Sequence, residues 1–236
     1  ANQTSGNCIR NTTTDPFSGV QADEVADPRP YCEIIRQWST FHPEFAFLPR
    51  KFKIAMNASE RTDRAAIQVH DIGLQLVRND QGELGFRVHV GGGLGRTPMI
   101  GPVIREFLPE ADLLTYLEAI LRVYNRYGRR DNKFKARIKI LVKALTPEGF
   151  AEKVETEWQH IKDSPTRLTP EAIEHYRSYF TEPAYETLPD ASELLAQQRF
   201  ENREFDQWVA HNVDAHKRPG YAIVTLTLKK TGIPPG

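Results

Sequence analysis

Residues 66–90 read AIQVHDIGLQLVRNDQGELGFRVHV, and this stretch decides the fold class. Apolar residues recur through Ala66–Arg78 and again through Leu84–Val90. The polar run Asn79–Gly82 separates them, and two apolar runs joined by a short polar segment with glycine predict a β-hairpin. The chain is therefore expected to contain an antiparallel pair of strands.

The segment before this hairpin extends the predicted sheet. Lys51–Met56 is also strand-like, and its position predicts a meander that continues into the hairpin. In Ala66–Arg78 the apolar positions change parity between Val69 and Ile72. This change indicates a β-bulge near Asp71 that turns the other side of the strand inward.

Helical patterns flank the predicted sheet. Residues 1–30 are rich in Thr, Asn, Asp, Pro and Gly and are expected to be mostly loop, whereas the spacing from Val103 onward is helical. The predicted helices are Pro28–Phe41, Asp112–Arg126, Lys133–Leu145, Pro147–Ile161, Pro170–Phe180, Ser192–Phe200 and Phe205–His211. Tyr221–Leu228 alternates like a strand and is expected to open a second unit. Strands followed by helices predict an α+β fold with a mixed or antiparallel sheet.

Composition limits the function classes. The chain has 31 Lys and Arg against 31 Asp and Glu, a formal net charge of 0, which excludes attraction of the whole chain to nucleic acid or anionic lipid. No apolar run reaches the roughly 20 residues of a membrane span, and no signal peptide is visible, so a cytoplasmic location is expected.

Cys8 and Cys32 are too few for a four-thiolate site, and the 7 histidines lack paired ligand spacing, so no metal site is predicted. Because Ala1 replaces an initiator Met, we expect a piece of a longer protein.

The most unusual local feature is the basic strand Arg50-Lys51-Phe52-Lys53-Ile54. Alternation along a strand places Lys51 and Lys53 on one side, about 6.6 Å apart. Two ammonium groups at that distance repel by about 2 kcal/mol at an effective dielectric of 20, but by only about 0.6 kcal/mol in water. A solvated pair is an exposed basic strand edge that discourages aggregation, whereas a buried pair needs an anion beside it.

Two other segments carry candidate chemistry. Gly91–Arg96 reads GGGLGR after a predicted strand, which suits either a loop packed against a flat ligand or a multi-glycine turn leaving the sheet. Arg122–Lys143 holds nine Lys and Arg residues with aromatic residues among them, a pattern that permits an RNA-binding α+β domain. Its apolar residues also recur every three or four positions, which favours a solvated cationic face opposite a buried stripe.

Four stretches follow one another along the chain in a distinctive order. They are Thr4–Asn11 (TSGNCIRN), Leu48–Lys53 (LPRKFK), Val90–Leu94 (VGGGL) and Arg126–Lys133 (RYGRRDNK). Together they resemble the sirohaem-dependent sulfite and nitrite reductases. The resemblance runs from about residue 1 to residue 161 and continues through Tyr221–Pro235.

This resemblance implies a domain organisation and a set of site residues. Residues 1–161 would form the first sirohaem-binding domain of a sulfite/nitrite reductase haemoprotein, 162–219 a helical connector, and 220–236 the truncated start of a second, ferredoxin-like half. Arg10, Lys51 and Lys53 would hold the substrate oxyanion on the distal side of the sirohaem. The residues implied to touch the macrocycle and its carboxylates are Asn7, Arg50, Gly91, Gly92, Gly93 and Arg96.

The same resemblance implies cofactors, substrates and partners. The cofactors are sirohaem and a 4Fe-4S cluster whose cysteine ligands lie outside this chain, in the remaining half of the parent protein. The electron donor is a ferredoxin or an NADPH flavoprotein. Lysine stands at both positions of the pair Lys51 and Lys53, which favours reduction of sulfite to sulfide, because plant-type nitrite reductases usually have Asn at the second position. Assimilatory reduction of nitrite to ammonia is the alternative. This piece alone is expected to be inactive.

Two hypotheses from other classes remain. One is an RNA-binding α+β domain that uses Arg122–Lys143, although no nucleic-acid or membrane partner is expected from the charge balance. The other is a non-catalytic structural repeat, which predicts that Arg10→Ala and Lys51→Ala leave the turnover of the parent protein unchanged.

Overall fold

The computed structural model describes residues 6–228, and its centre is a five-stranded mixed sheet. The strands are β1 (Ile9–Thr14), β2 (Phe52–Asn57), β3 (Ile72–Arg78), β4 (Leu84–Val90) and β5 (Val103–Pro109), and they lie in that spatial order. β1, β2 and β3 run parallel to one another, whereas β3, β4 and β5 are antiparallel. A separate antiparallel pair joins β6 (Val213–Ala215) to β7 (Ala222–Val224).

The helices follow the sheet along most of the remaining chain. They are α1 (Arg29–Ser39), α2 (Leu113–Tyr127), α3 (Ile138–Leu145), α4 (Pro147–Ile161), α5 (Pro170–Arg177), α6 (Ser192–Glu201) and α7 (Arg203–Asn212). The predicted helices are all present, and the α+β class with a mixed sheet is confirmed. α3 begins five residues later than predicted, after a turn in which Lys135 N–H donates to the Asn132 carbonyl.

The core lies between the sheet and the helices. Every second residue of the central strands faces the helices, so Leu74 of β3 and Phe86 of β4 are fully buried. Tyr31 of α1 meets the ring of Phe86 edge to face at 5.3 Å, and Tyr124 of α2 lies 5.4 Å from the ring of Phe52. The contact of Phe52 with Tyr124 anchors β2 on its inner face. Alternation along the strand then points Lys53 to the opposite face of the sheet.

β1 and β5 carry no clear sequence signal. The expectation of loop through residues 1–30 is wrong for β1, where only Ile9 is fully buried and the strand is held mainly by parallel backbone pairing with β2. The expectation of helix from residue 103 is wrong for β5, an edge strand whose residues are mostly half-buried. Edge strands bury few side chains, so the period-2 pattern that marks a strand is weak in both.

The predicted hairpin is confirmed, but the strand before it pairs differently from the prediction. β3 and β4 pair across the turn, in which Gly82 N–H donates to the Asn79 carbonyl. β2 pairs with β3 in parallel rather than as a meander. The parity change near Asp71 marks the start of β3 at Ile72 rather than a bulge, because residues 67–69 form a 3-10 turn.

The last quarter of the described chain is joined to the body by α5 and by Arg64. Arg177 of α5 pairs with Glu110 at 2.8 Å, and Arg64 pairs with Asp214 of β6 at 3.3 Å. α6 buries none of its residues. The predicted strand Tyr221–Leu228 is shorter in the structure, as β7, and the stretches 1–5 and 229–236, with parts of two motifs, lie outside the described residues.

Candidate functional site: a cation cluster beside the parallel strands

The pairing of β1 with β2 brings Arg10 next to the basic strand. Phe52 N–H donates to the Cys8 carbonyl at 3.0 Å, and Ile9 pairs with Phe52. The register then shifts between Ile9 and Asn11, which leaves Arg10 at an irregularity of the strand. A bulge of this kind redirects a side chain, and it places the guanidinium of Arg10 beside residues 51–53.

Lys51 lies at the centre of this positive charge. Its pKa is lowered first by burial and then by the charges of Arg10, Arg137, Arg50 and Lys53. Lys51 is half-buried, and Lys53 is exposed. Four other cations therefore lie close enough to this amine to disfavour its protonation, in addition to the effect of burial.

No carboxylate neutralises the four cations that the sequence singles out. Within residues 6–228, neither Arg10 nor Arg50, Lys51 or Lys53 forms an ion pair. Arg10 donates from Nε to the Gly6 carbonyl at 2.9 Å. The two terminal nitrogens of its guanidinium make no hydrogen bond in the described part of the chain. The arrangement is therefore suited to hold an anion, because a bound anion offsets the repulsion between unpaired cations at close range.

The structure also brings the segments of Asn7 and Arg50 to this cluster. The backbone carbonyl of Asn7 accepts from Leu48 N–H at 2.7 Å, so the segment around Asn7 lies against the segment that carries Arg50. The hydroxyl of Tyr124 donates to the Ala136 carbonyl at 2.8 Å, and burial raises the pKa of Tyr124 whereas the nearby backbone of Arg50 lowers it. This buried tyrosine of α2 therefore lies next to the backbone that precedes Lys51.

The glycine segment is buried, and its tight contacts are internal. A Cβ on Gly92 would lie 2.2 Å from the carbonyl oxygen of Gln68, and Gly91 has φ +89° with Val142 only 2.9 Å from a Cβ. Internal packing therefore requires glycine at both positions, as the turn interpretation predicts. A role of Gly91–Gly93 toward a ligand stays a prediction. Arg96 is exposed at the outer part of this loop.

Two residues of the site were missed from sequence. Arg137, just before α3, donates from Nε and Nη2 to Asp71 Oδ1 at 2.9 and 2.7 Å. Lys139 is buried and donates to the carbonyls of Leu94 and Thr97 at 3.3 and 2.6 Å, which ties α3 to the glycine segment. Sequence spacing assigned both cations to a solvated helix face. For Asp71, the acidic partner of Arg137, the only signal in the sequence was the change of apolar parity between Val69 and Ile72.

Within residues 6–228, three of the seven other cations of Arg122–Lys143 are paired with acids, among them Arg129 with Asp131 at 2.6 Å. Arg122 contacts Glu44, Glu118 and Glu157, and Arg126 contacts Glu157. This pairing removes part of the charge that an RNA-binding face would need.

Two general features bear on the class of site. In the described range 6–228 no group of three or more His, Cys, Asp or Glu residues is arranged to hold a metal ion. Within that same range, none of the helices combines the length and the apolar character that crossing a bilayer requires.

Comparisons with known proteins agree on one family. The model of the nitrite and sulphite reductase 4Fe-4S domain matches residues 5–162. A protein named sulfite reductase (ferredoxin) 1 from Mycolicibacterium paratuberculosis is 33% identical over 172 residues, which are 72% of this chain and 30% of that protein. The chloroplastic ferredoxin–nitrite reductase of Arabidopsis thaliana is 28% identical over 152 residues, 62% of this chain and 26% of that protein.

Solved structures show the same likeness. The Mycobacterium tuberculosis NirA protein matches with a TM-score of 0.60 and 32% identity over 66% of this chain and 28% of that one. A dissimilatory sulfite reductase I matches with a TM-score of 0.50 and 10% identity over 84% of this chain and 62% of that one, a likeness of fold alone. The chain spans about 30% of the length of the sulfite reductases (ferredoxin) of Mycolicibacterium paratuberculosis and Mycobacterium tuberculosis that it matches.

Proposed function

The chain belongs to the nitrite and sulphite reductase family, and from that premise we propose that it supplies the substrate-binding cations of a reductase of sulfite. Arg10, Lys51 and Lys53 bind the oxyanion in this proposal. The whole activity requires a larger protein, because the relatives named sulfite reductase are about three times as long as the matched segment. In the same proposal residues 1–161, 162–219 and 220–236 are the first domain, the connector and the start of a second half.

One observation carries the proposal. Four cations from three separate segments lie close enough to the amine of Lys51 to lower its pKa. Of these five cations, only Arg137 has an acidic partner within residues 6–228. A folded chain that gathers unpaired charge in this way loses stability unless an anion compensates it. Sulfite and nitrite are small oxyanions, and one of them bound at Lys51 would supply that compensation.

The residues present also suit the proposed macrocycle. Sirohaem carries many carboxylates, and the free cations of the cluster have the sign and number to bind them. The fit rests on charge rather than on the glycines, which pack against the protein itself. Arg50, Asn7 and the outer loop with Arg96 are the groups we propose to hold the carboxylates, while Arg10, Lys51 and Lys53 face the substrate.

When bound, sirohaem and a 4Fe-4S cluster would pass electrons from the donor to the substrate. This chain would supply charge and protons. Arg10 is always protonated and has two terminal nitrogens for a bidentate contact with the anion. Lys51 has a lowered pKa and therefore gives up its proton more readily than an ordinary lysine, which suits transfer to an oxygen that leaves as water. Fixed positive charge stabilises the substrate as negative charge builds up on it.

We infer sulfite rather than nitrite as the main substrate from Lys53. This residue is exposed, unpaired in the described range and projects from the same side as Lys51, so it adds a second amine to the site. A doubly charged anion gains more from the added charge than a singly charged one. The support is the charge count, together with relatives named sulfite reductase; other relatives are named nitrite reductase. A ferredoxin is the donor we propose, as those relatives' names state for their own reactions.

The test is the kinetics of the native protein with a reduced viologen dye as electron source. We expect Arg10→Ala and Lys51→Ala each to lower kcat/KM for sulfite by about tenfold or more, since each removes a charge that contacts the anion. Lys135→Ala removes an exposed cation outside the cluster and is the matched control.

Each rival hypothesis predicts a different outcome. Unchanged turnover in both variants supports a non-catalytic repeat. A colourless native protein that reduces neither anion rejects the reductase. RNA affinity that falls with salt and on neutralising Arg129 and Arg130 supports the RNA-binding domain instead.

A further inference from the structure

Asp71 is a buried acid that the proposed function does not use. It lies between the 3-10 turn of residues 67–69 and β3, and its side chain is 1% exposed. Burial raises its pKa, against the opposing effects of Arg137 and of Lys53 N–H. A buried carboxylate destabilises the fold unless several donors satisfy it. The partners of Asp71 therefore show which parts of the structure it holds together.

The partners of Asp71 come from three segments that are distant in sequence. Oδ2 accepts from the backbone N–H of Lys53 at 3.0 Å. Oδ1 accepts from Nε and Nη2 of Arg137 at 2.9 and 2.7 Å. The backbone carbonyl of Asp71 accepts from Gly91 N–H at 3.0 Å. One residue therefore ties the start of β2, the start of α3 and the glycine segment together.

These contacts determine where two cations of the cluster point. The bond to Lys53 N–H fixes the backbone from which the Lys53 side chain projects, and strand alternation then fixes Lys51 as well. The guanidinium of Arg137 is held beside the glycine segment, 3.6 Å from where a Cβ on Gly93 would lie. From that position its charge reaches Lys51. The carboxylate of Asp71 thus holds Arg137 at its guanidinium and Lys53 at its backbone N–H.

We propose that Asp71 is the positioning residue of the anion site: its carboxylate orients Arg137 toward Lys51 and fixes the backbone that carries Lys53. This inference rests on the proposed function and deepens it. It adds Arg137 to the cations that face the substrate, and it gives the buried acid a role beyond linking α3 to the sheet.

The first test is a kinetic comparison in the native protein. Asp71→Asn keeps the size of the side chain and an oxygen for Lys53 N–H but removes the charge that holds Arg137. We expect kcat for sulfite to fall about tenfold while KM changes by less than about threefold, because the misplaced guanidinium still attracts the anion but no longer stabilises the reacting form.

Two further variants separate positioning from stability. If Asp71 acts through Arg137, the double variant Asp71→Asn/Arg137→Gln has a kcat close to that of Asp71→Asn alone. Asp112→Asn, which removes a buried acid paired with Arg167 at 2.7 Å away from the cluster, is the matched control and is expected to lower Tm but not kcat. A kcat for Asp71→Asn equal to that of Asp112→Asn would overturn the inference and leave a purely structural link.

A binding experiment on the native protein distinguishes failure of the inference from failure of the proposed function. Inorganic phosphate is the probe, and NMR follows the Lys53 amide and the Arg137 Nε–H. We expect both signals to shift together on titration, and the Arg137 response to be lost in Asp71→Asn. That result in a protein that reduces neither anion would retain the positioning role and reject the reductase. Arg137 shifts that are identical in the wild type and in Asp71→Asn would reject the positioning role.

Discussion

Lys53→Asn tests how the cluster selects its anion. The structure leaves Lys53 exposed, without an acidic partner in the described range, and close enough to Lys51 to lower its pKa. Substitution by Asn therefore removes one full positive charge from the site. The backbone N–H that donates to Asp71 at 3.0 Å is retained, so the strand is expected to keep its position.

The magnitude follows from Coulomb's law. A unit charge in contact with the amine, about 4 Å away, gains about 1 kcal/mol in water and about 4 kcal/mol at an effective dielectric of 20. The exposure of Lys53 favours the lower value. Sulfite is doubly charged above neutral pH and nitrite is singly charged, so sulfite loses about 1 kcal/mol more, which is a change of about fivefold in relative rate.

The assay is the ratio of kcat/KM for sulfite to kcat/KM for nitrite in the native protein at about pH 8, with reduced viologen as electron donor. We expect the ratio to fall by about fivefold or more in Lys53→Asn and to stay constant in Lys135→Asn, which changes net charge equally outside the cluster. A ratio that is unchanged in Lys53→Asn, or that falls equally in Lys135→Asn, would refute the assignment of Lys53 to the site.

Three other outcomes test the structure around the site. Gly92→Ala should lower the free energy of unfolding by about 3 kcal/mol or more in urea, because its Cβ would meet the Gln68 carbonyl at 2.2 Å, whereas Gly149→Ala, with ordinary contacts, should not. Burial raises the pKa of Cys32 to about 12, so its thiol should react with iodoacetamide at about pH 8 much more slowly in the folded chain than after unfolding; equal rates of labelling at Cys32 in the two states would contradict this. The pKa of Lys51 lies below the ordinary 10.5. Affinity for sulfite should fall as the pH rises through this pKa, because only the protonated amine attracts the anion. A fall in affinity that begins at no lower pH than an ordinary lysine would give counts against the cluster.

The parts of the fold with strong periodicity were predictable from sequence. α4 has the predicted bounds, since Pro147 marks its first turn and Thr146 caps Gly149 N–H. β3 and β4 were recognisable because each buries alternate residues in the core. The edge strand β5 lacked that pattern, and the parallel pairing of β2 with β3 depends on long-range packing that local pattern does not encode.

The candidate site was predictable only in part, for a related reason. Arg10, Lys51 and Lys53 lie in short motifs, so the resemblance of those motifs to one family is enough to group the three residues. Asp71 and Arg137 are 66 residues apart and meet only because α3 packs beside the end of β4. A single acid and a single cation at that separation carry no local pattern that distinguishes them from surface residues.

The most direct test of the account is a crystal structure of the native protein with sulfite bound. We predict the anion within hydrogen-bonding distance, about 3 Å, of the Arg10 guanidinium and the amines of Lys51 and Lys53. Sulfite bound at another place, with these three side chains turned into solvent on separate surfaces, would contradict the central claim.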